Sequence, residues 1–240
     1  MQKSSTTINQ TKSVTTTRQL KTRIIRAYDN FIIRAYCYIR FVIMNMCILE
    51  EIEQHLPRQA VILDVGCGFG LFSLFFASRC LTRKLIAFDI DPVRIAIARK
   101  ARDKLNLTQQ INFHVYDVAD YPFKESVDAI VMLDLFHHLQ PNVGQKILAG
   151  FYNALQENGT LIIKDVTATP RWQVWFTWLL DKLMNYSTFL HYYTRAEMIT
   201  LLEHQGFAVK FHRIPDVLPY PHILYICRKK TIPQDTEYQK

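Results

Sequence analysis

The chain has 240 residues, 49% of them hydrophobic and 21% charged, a composition that supports a packed core and excludes a disordered chain. Its five cysteines (Cys37, Cys47, Cys67, Cys80 and Cys227) form no C-x-x-C pair and are odd in number, which argues against a disulfide framework or a zinc site and for a reducing compartment. The net charge of +8 is concentrated at one end: residues 1–49 hold eight basic residues against the single acid Asp29, and the remainder holds 21 basic and 20 acidic ones, so the nearly neutral body speaks against broad nucleic-acid binding.

The first 20 residues are rich in Ser, Thr and Gln and lack the apolar stretch of a signal peptide; they read as a polar tail, an acid-free presequence being the alternative. No Pro precedes Pro57 and no Gly precedes Gly66, and residues 21–55 predict one long helix or two stacked ones. Arg23, Arg26, Asn30 and Arg34 fall on one polar stripe with Arg40 near its continuation, while Ile25, Tyr28, Ile32, Tyr36 and Ile39 fall on the other side. Phe41–Leu49 is almost wholly apolar but far short of the ~20 residues that span a bilayer.

From residue 60 the pattern alternates. Strands are predicted at Ala60–Val65, Leu85–Asp89, Ile111–Asp117, Val127–Asp134 and Thr160–Val166. Helices are predicted at Leu71–Arg79, at Pro92–Leu105 with Asp91 as its N-cap, and at Asn142–Gln156, ended by Asn158-Gly159. An aromatic-rich stretch from Pro170 to Tyr193 holds all three Trp residues; with Arg171 it is expected to form a substrate wall, the plainer reading being a helix buried on its apolar side. Thr194 and Glu197 form a capping box for a helix to His204, and Phe207–Ile214 and His222–Arg228 are expected to pair as a hairpin around a Pro-rich loop. The implied fold is α/β: a Rossmann-like, seven-stranded, mainly parallel sheet with a C-terminal antiparallel hairpin and an N-terminal helical segment.

Gly66, Gly68 and Gly70 follow a buried strand directly and open a helix, where the turn is tight and the backbone must come close to a ligand. The spacing fails the G-x-G-x-x-G of dinucleotide dehydrogenases, since Leu71 stands at the last position. The run Val61-Ile62-Leu63-Asp64-Val65-Gly66-Cys67-Gly68-Phe69-Gly70 resembles the first motif of class I S-adenosylmethionine-dependent methyltransferases. The resemblance covers roughly residues 58–230 and implies S-adenosyl-L-methionine as cofactor. It implies that Gly66, Cys67, Gly68 and Gly70 cradle the cofactor and Asp64 orients its methionine ammonium. Asp89 would accept from the ribose hydroxyls, Ile90 pack on the adenine, and Asp117 with the Val118 N–H meet the adenine edge. For Asp117 the alternative is a loop acid capping a turn.

Leu135-Phe136-His137-His138-Leu139 resembles the family segment beneath the methionine end, which makes His137, His138 and Asp134 the candidate catalytic bases, with Asp134 also a candidate cofactor contact. The implied organisation is a tail (1–20), a basic amphipathic helical segment (21–56), a cofactor-binding methyltransferase domain (57–230) and a tail (231–240). No metal is expected, because no cluster of acids suggests one. The expected activity is methyl transfer to a hydrophobic small-molecule, aryl or lipid-like acceptor. The alternatives are an RNA or DNA methyltransferase, against which Leu133-Asp134-Leu135-Phe136 stands in place of an N-P-P-Y-type motif, and a cofactor-binding protein without catalysis.

The segments G-C-G-F-G-L-F-S, I-I-K-D-V-x-x-x-P-R-W and Y-P-H-I-L-Y-I-C-R-K are also similar to methyltransferases of bacterial aryl polyene and related lipid-like pigment pathways. That similarity implies a cytoplasmic enzyme at the inner membrane surface, with the arginine helix of residues 21–49 as a peripheral contact. The other reading of that helix is a cap over the cofactor pocket.

Overall fold

The computed structural model describes residues 17–169, 189–213 and 221–230. Strands β1 (Val61–Val65), β2 (Lys84–Asp89), β3 (Ile111–Val115), β4 (Val127–Leu133) and β5 (Leu155–Val166) run parallel. β6 (Phe207–Arg213) and β7 (His222–Lys229) pair as the expected antiparallel hairpin, and β7 joins β5. The sheet order is β3-β2-β1-β4-β5-β7-β6. The chain leaves β1 toward one edge and returns on its other side at β4, so a crevice opens at the carboxyl ends of β1 and β4, the usual ligand position in such sheets.

The central strands are buried on both faces and therefore read as unbroken apolar runs. Alternation sends Ile62 to one core and Leu63 and Val65 to the other. Helix α4 (Leu71–Arg79) is apolar all round, with Leu71 to Ala77 buried, because it lies between the sheet and the N-terminal helices. Phe41 packs edge-on against both Phe72 and Phe75 of that helix. Helix α5 (Pro92–Lys104) starts as expected, with the Asp91 carboxylate accepting from the N–H groups of Val93 and Arg94. Helix α7 (Arg195–His204) carries the full capping box of Thr194 and Glu197.

Two expectations need correction. Residues 21–55 form neither one helix nor two, but parts of three: α1 (17–27), α2 (Phe31–Ile43) and α3 (Met46–His55). Neither Pro nor Gly makes the breaks. Asn30 and Asn45 do, their side-chain carbonyls accepting from the N–H of Ile32 and Ile48 as N-caps. The break after α1 also undoes the continuous apolar side, since Tyr28 is buried while Ile32 and Ile39 face outward. The second correction concerns α6, which spans Pro141–Ala154 and passes straight into β5 with no glycine cap. Val127 faces Leu155 and Ala129 faces Thr160, so Asn158 and Gly159 belong to a bulge in β5. The chain closes so tightly there that a Cβ on Gly159 would lie 2.8 Å from Leu155 Cδ2.

Candidate functional site

A cavity of about 480 Å³ opens at the carboxyl ends of β1, β2 and β4, within the size range of small-molecule sites. Every residue of the implied cofactor set lines it except Gly70, which sits behind the loop as the first residue before α4. Gly68 has φ +55°, and a Cβ built on it would meet no protein atom within 4 Å: its bare backbone faces the cavity. Gly70, at φ +73°, is constrained from behind, since a Cβ there would lie 2.6 Å from the Phe113 ring. The first fact fits close approach of a ligand to main chain, and the second fits dense packing of α4 on the sheet.

Two buried carboxylates shape the loop. Asp89 accepts from the Gly68 N–H at 2.8 Å and from the Asp91 N–H at 3.0 Å, tying the glycine loop to the tip of β2. Asp64, at the end of β1, accepts from the Ser73 hydroxyl. Burial pushes its carboxyl up to about 6; the Ser73 bond opposes this and the nearby Asp89 charge adds to it. Burial also holds the Cys67 thiol well above its usual range, with Asp64 and Asp89 adding to the effect, so this cysteine is a neutral wall residue and not a nucleophile.

At the far side of the adenine-binding candidates, Ile90 is exposed on the cavity rim and Val118 is buried. Asp117 performs the turn-capping role, accepting from the Ala119 N–H at 2.9 Å, and lines the cavity as well.

After β4 the chain takes Asp134 at φ +55° into a single 3₁₀ turn, Phe136–His138. Asp134 pairs with the Lys164 ammonium and, at 2.8 Å, with the Arg40 guanidinium. Burial would raise its carboxyl, but Lys164, Arg40 and His222 outweigh that and hold it far below the usual carboxylate range. An acid held so firmly as the anion is a poor proton acceptor, which counts against Asp134 as the base.

His137 differs. Its Nδ1 meets the Asp165 carboxylate, and its backbone N–H donates to the other Asp165 oxygen at 3.0 Å. Both residues are buried, and the His137 ring stacks on Tyr192, 5.5 Å between centroids. With Nδ1–H donating to Asp165, Nε2 is the basic nitrogen of the ring. The His138 ring lies 4.0 Å from that of His137 and also lines the cavity.

Among the cavity or near-cavity residues that sequence reading did not single out are Tyr36, Arg40, Lys164 and Asp165. A signal existed for two of them. Lys164 and Asp165 are charged residues closing an apolar strand buried on both faces, and such charges require partners. Tyr36 and Arg40 come from α2, and they cover the cavity because α2 is moored to the glycine loop. The Tyr28 hydroxyl donates to the Phe69 carbonyl at 2.9 Å, and the Tyr36 ring meets the Phe69 ring edge-on. Of the expected wall from Pro170 to Tyr193, residues 170–188, with Arg171 and all three Trp, lie outside the described residues, as do residues 214–220 of the Pro-rich loop; Tyr192, at the described end of the wall, stacks on His137. Among the described residues, one group of side chains is close enough to share a metal ion (Glu51, His55 and His212), and none of them lines the cavity.

Comparison with known proteins agrees with this geometry. Residues 62–159 match the family model described as "Methyltransferase domain". The chain is 26% identical over 129 residues to the erythromycin 3''-O-methyltransferase of Saccharopolyspora erythraea, covering 49% of this chain and 42% of that protein. It is 29% identical over 113 residues to the ubiquinone biosynthesis O-methyltransferase of Xanthomonas campestris pv. campestris, covering 46% and 45%. The chain thus spans less than half the length of these curated relatives. An O-methyltransferase family protein from Burkholderia thailandensis shares the fold, with a TM-score of 0.65 at 17% identity over 80% of this chain and 58% of that one.

Proposed function

We propose that the chain, whose residues 62–159 match a methyltransferase domain, is a class I S-adenosylmethionine-dependent methyltransferase that methylates an oxygen of a hydrophobic small-molecule, aryl or lipid-like acceptor, with His137 as the base. The observation that carries the reading is one cavity lined at one end by Gly68 and Asp89 and at the other by His137. The bare main chain at Gly68 fits a nucleoside-bearing cofactor. Asp89 would hold the ribose, Asp117, Val118 and Ile90 the adenine, and Asp64 the methionine ammonium. Arg40, which also lines the cavity, supplies a cation suited to the methionine carboxylate. When bound, the cofactor supplies a sulfonium methyl group that is already electrophilic.

The remaining work falls to the chain's own side chains. His137 Nε2 takes the proton from the acceptor hydroxyl, and Asp165 fixes the tautomer and stabilises the imidazolium that forms. Asp134 stays ionised and holds Arg40 and Lys164 in place. Leu133, Leu135, Leu139, Ile43 and Phe72 give the cavity apolar walls that exclude water and favour an apolar acceptor.

In this reading the domain of residues 57–230 carries the chemistry. The basic helices of residues 21–49 hold it peripherally at the cytoplasmic face of a membrane. Isothermal titration with S-adenosylmethionine, then radiolabelled methyl transfer to fractionated lipid, pigment and RNA extracts, tests the proposal. Label in the lipid or pigment fraction is expected; label in RNA alone overturns it.

A further inference from the structure

Helix α2 has two working faces. Its inner face supplies Tyr36, Arg40 and Ile43 to the cavity wall and packs Phe41 on α4. Its outer face is apolar as well. Phe31 is 77% exposed and Tyr38 63%, and Ile32, Ile39 and Val42 are exposed beside them. These positions, with exposed Ala35 between them, recur at three, four and seven residues and form one stripe along the helix. The stripe contains no acid. Arg34 flanks it, and Arg18, Arg23 and Arg26 are exposed on the adjoining helix α1.

A contiguous apolar stripe of this kind on a surface helix marks something that covers it. Three covers are conceivable on physical grounds, and charge separates them. A second copy of the chain would bring together two N-terminal segments that each hold eight basic residues against one acid over residues 1–49. A membrane-spanning arrangement fails on geometry: among the described residues no single helix is long and apolar enough to cross, α2 and α3 meet at a 76° bend, and Ile48, Leu49 and Ile52 of α3 are buried in the core. An anionic bilayer surface meets both demands at once, since lipid chains take up the stripe and headgroups meet the arginines.

We infer that α2 lies in the surface of an anionic bilayer through Phe31, Ile32, Tyr38, Ile39 and Val42, and that a lipid-phase acceptor enters the cavity past its inner face. One helix, ~10 Å across, separates the lipid from the cavity. The entry route rests on the proposed acceptor class; the docking does not.

The test is co-flotation of the full chain with vesicles of phosphatidylcholine alone and of phosphatidylcholine with phosphatidylglycerol, for the parent and a Phe31→Ser, Ile39→Asp variant. The parent is expected to float with the anionic vesicles, less so as salt rises, and not with the neutral ones. The variant is expected to lose about tenfold or more of that binding while titrating S-adenosylmethionine with unchanged affinity, which shows that it is folded. Equal flotation of parent and variant overturns the docking. So does a parent that stays in solution as a dimer which Ile39→Asp converts to monomer, or one that floats only when an acidic protein is added. Flotation as expected with no label transferred to any lipid or pigment fraction leaves the docking standing and overturns the acceptor reading.

Discussion

Burial holds the Asp64 carboxyl up at about 6, against 3.8 for an ordinary aspartate, with Ser73 opposing and Asp89 adding to the shift. Between about pH 4 and pH 6 the folded, cofactor-free protein therefore keeps a proton that the unfolded chain has lost. The contribution of Asp64 to stability is complete below about pH 4 and is lost as the pH rises through about 6. Cofactor binding runs the other way, because an ammonium group seated on Asp64 requires the carboxylate. For one coupled proton, the dissociation constant is weakened about elevenfold near pH 5, about twofold near pH 6 and hardly at all near pH 7. Titration calorimetry in two buffers of different ionisation enthalpy reads the same proton directly. About nine-tenths of a proton should be released per cofactor near pH 5 and about one-tenth near pH 7. Ser73→Ala removes the bond that lowers the carboxyl, so it should move the midpoint of the binding curve to higher pH. A dissociation constant constant within twofold from about pH 5 to 7, with no buffer-dependent heat, would refute the placement of the ammonium on Asp64.

Four further outcomes are expected. His137→Gln should lower kcat by about 10²–10⁴-fold with cofactor affinity unchanged, and Asp165→Asn should do the same to a lesser degree and displace the acid limb of the pH–rate profile. Gly70→Ala drives a Cβ into the Phe113 ring at 2.6 Å and should cost about 2–3 kcal/mol in chemical denaturation. Gly68→Ala, whose methyl meets only open cavity, should cost the fold only about 1–2 kcal/mol, for an alanine at φ +55°, yet weaken the cofactor by about tenfold, or ~1.4 kcal/mol. Asp134→Ala strands the buried Lys164 ammonium and should destabilise the protein by about 3–5 kcal/mol, whereas Arg40→Ala leaves the Lys164 pair intact and should show its effect in the dissociation constant for the cofactor.

The sheet and the glycine loop were legible in the sequence because each is dictated locally. Strands buried on both faces must be apolar runs, and the turn from β1 to α4 needs positive φ at Gly66, Gly68 and Gly70 whatever lies around it. The Asp91 cap and the Thr194–Glu197 box are local for the same reason. The Asp165–His137 pair was not legible, because the partners lie 28 positions apart on a strand and a turn that meet only once the sheet has closed. The bulge at Asn158-Gly159 shows the converse hazard. An Asn-Gly pair after a helix reads as a cap, and only the pairing of Val127 with Leu155 shows that the strand has already begun.

The N-terminal helices were harder to read for a different reason. A helix with one buried face announces itself by a single apolar stripe, and the reading of residues 21–55 looked for one. Helix α2 has two stripes, an inner one that meets α4 and the cavity and an outer one exposed to the surroundings, and together they blur the period that pattern reading depends on. The polar exceptions then become the informative residues. Asn30 and Asn45 mark where the chain turns. Arg40, an arginine on an inward face, has to find an acid, and the partly buried Asp134 is that acid, held at positive φ where β4 ends. The two readings of this segment, cap over the pocket and contact for a membrane, are therefore not rivals, because they use opposite faces of one helix. On the proposed reading, cap and membrane contact share one element, and the acceptor's proposed entry lies beside His137, the proposed base, without a separate channel through the domain.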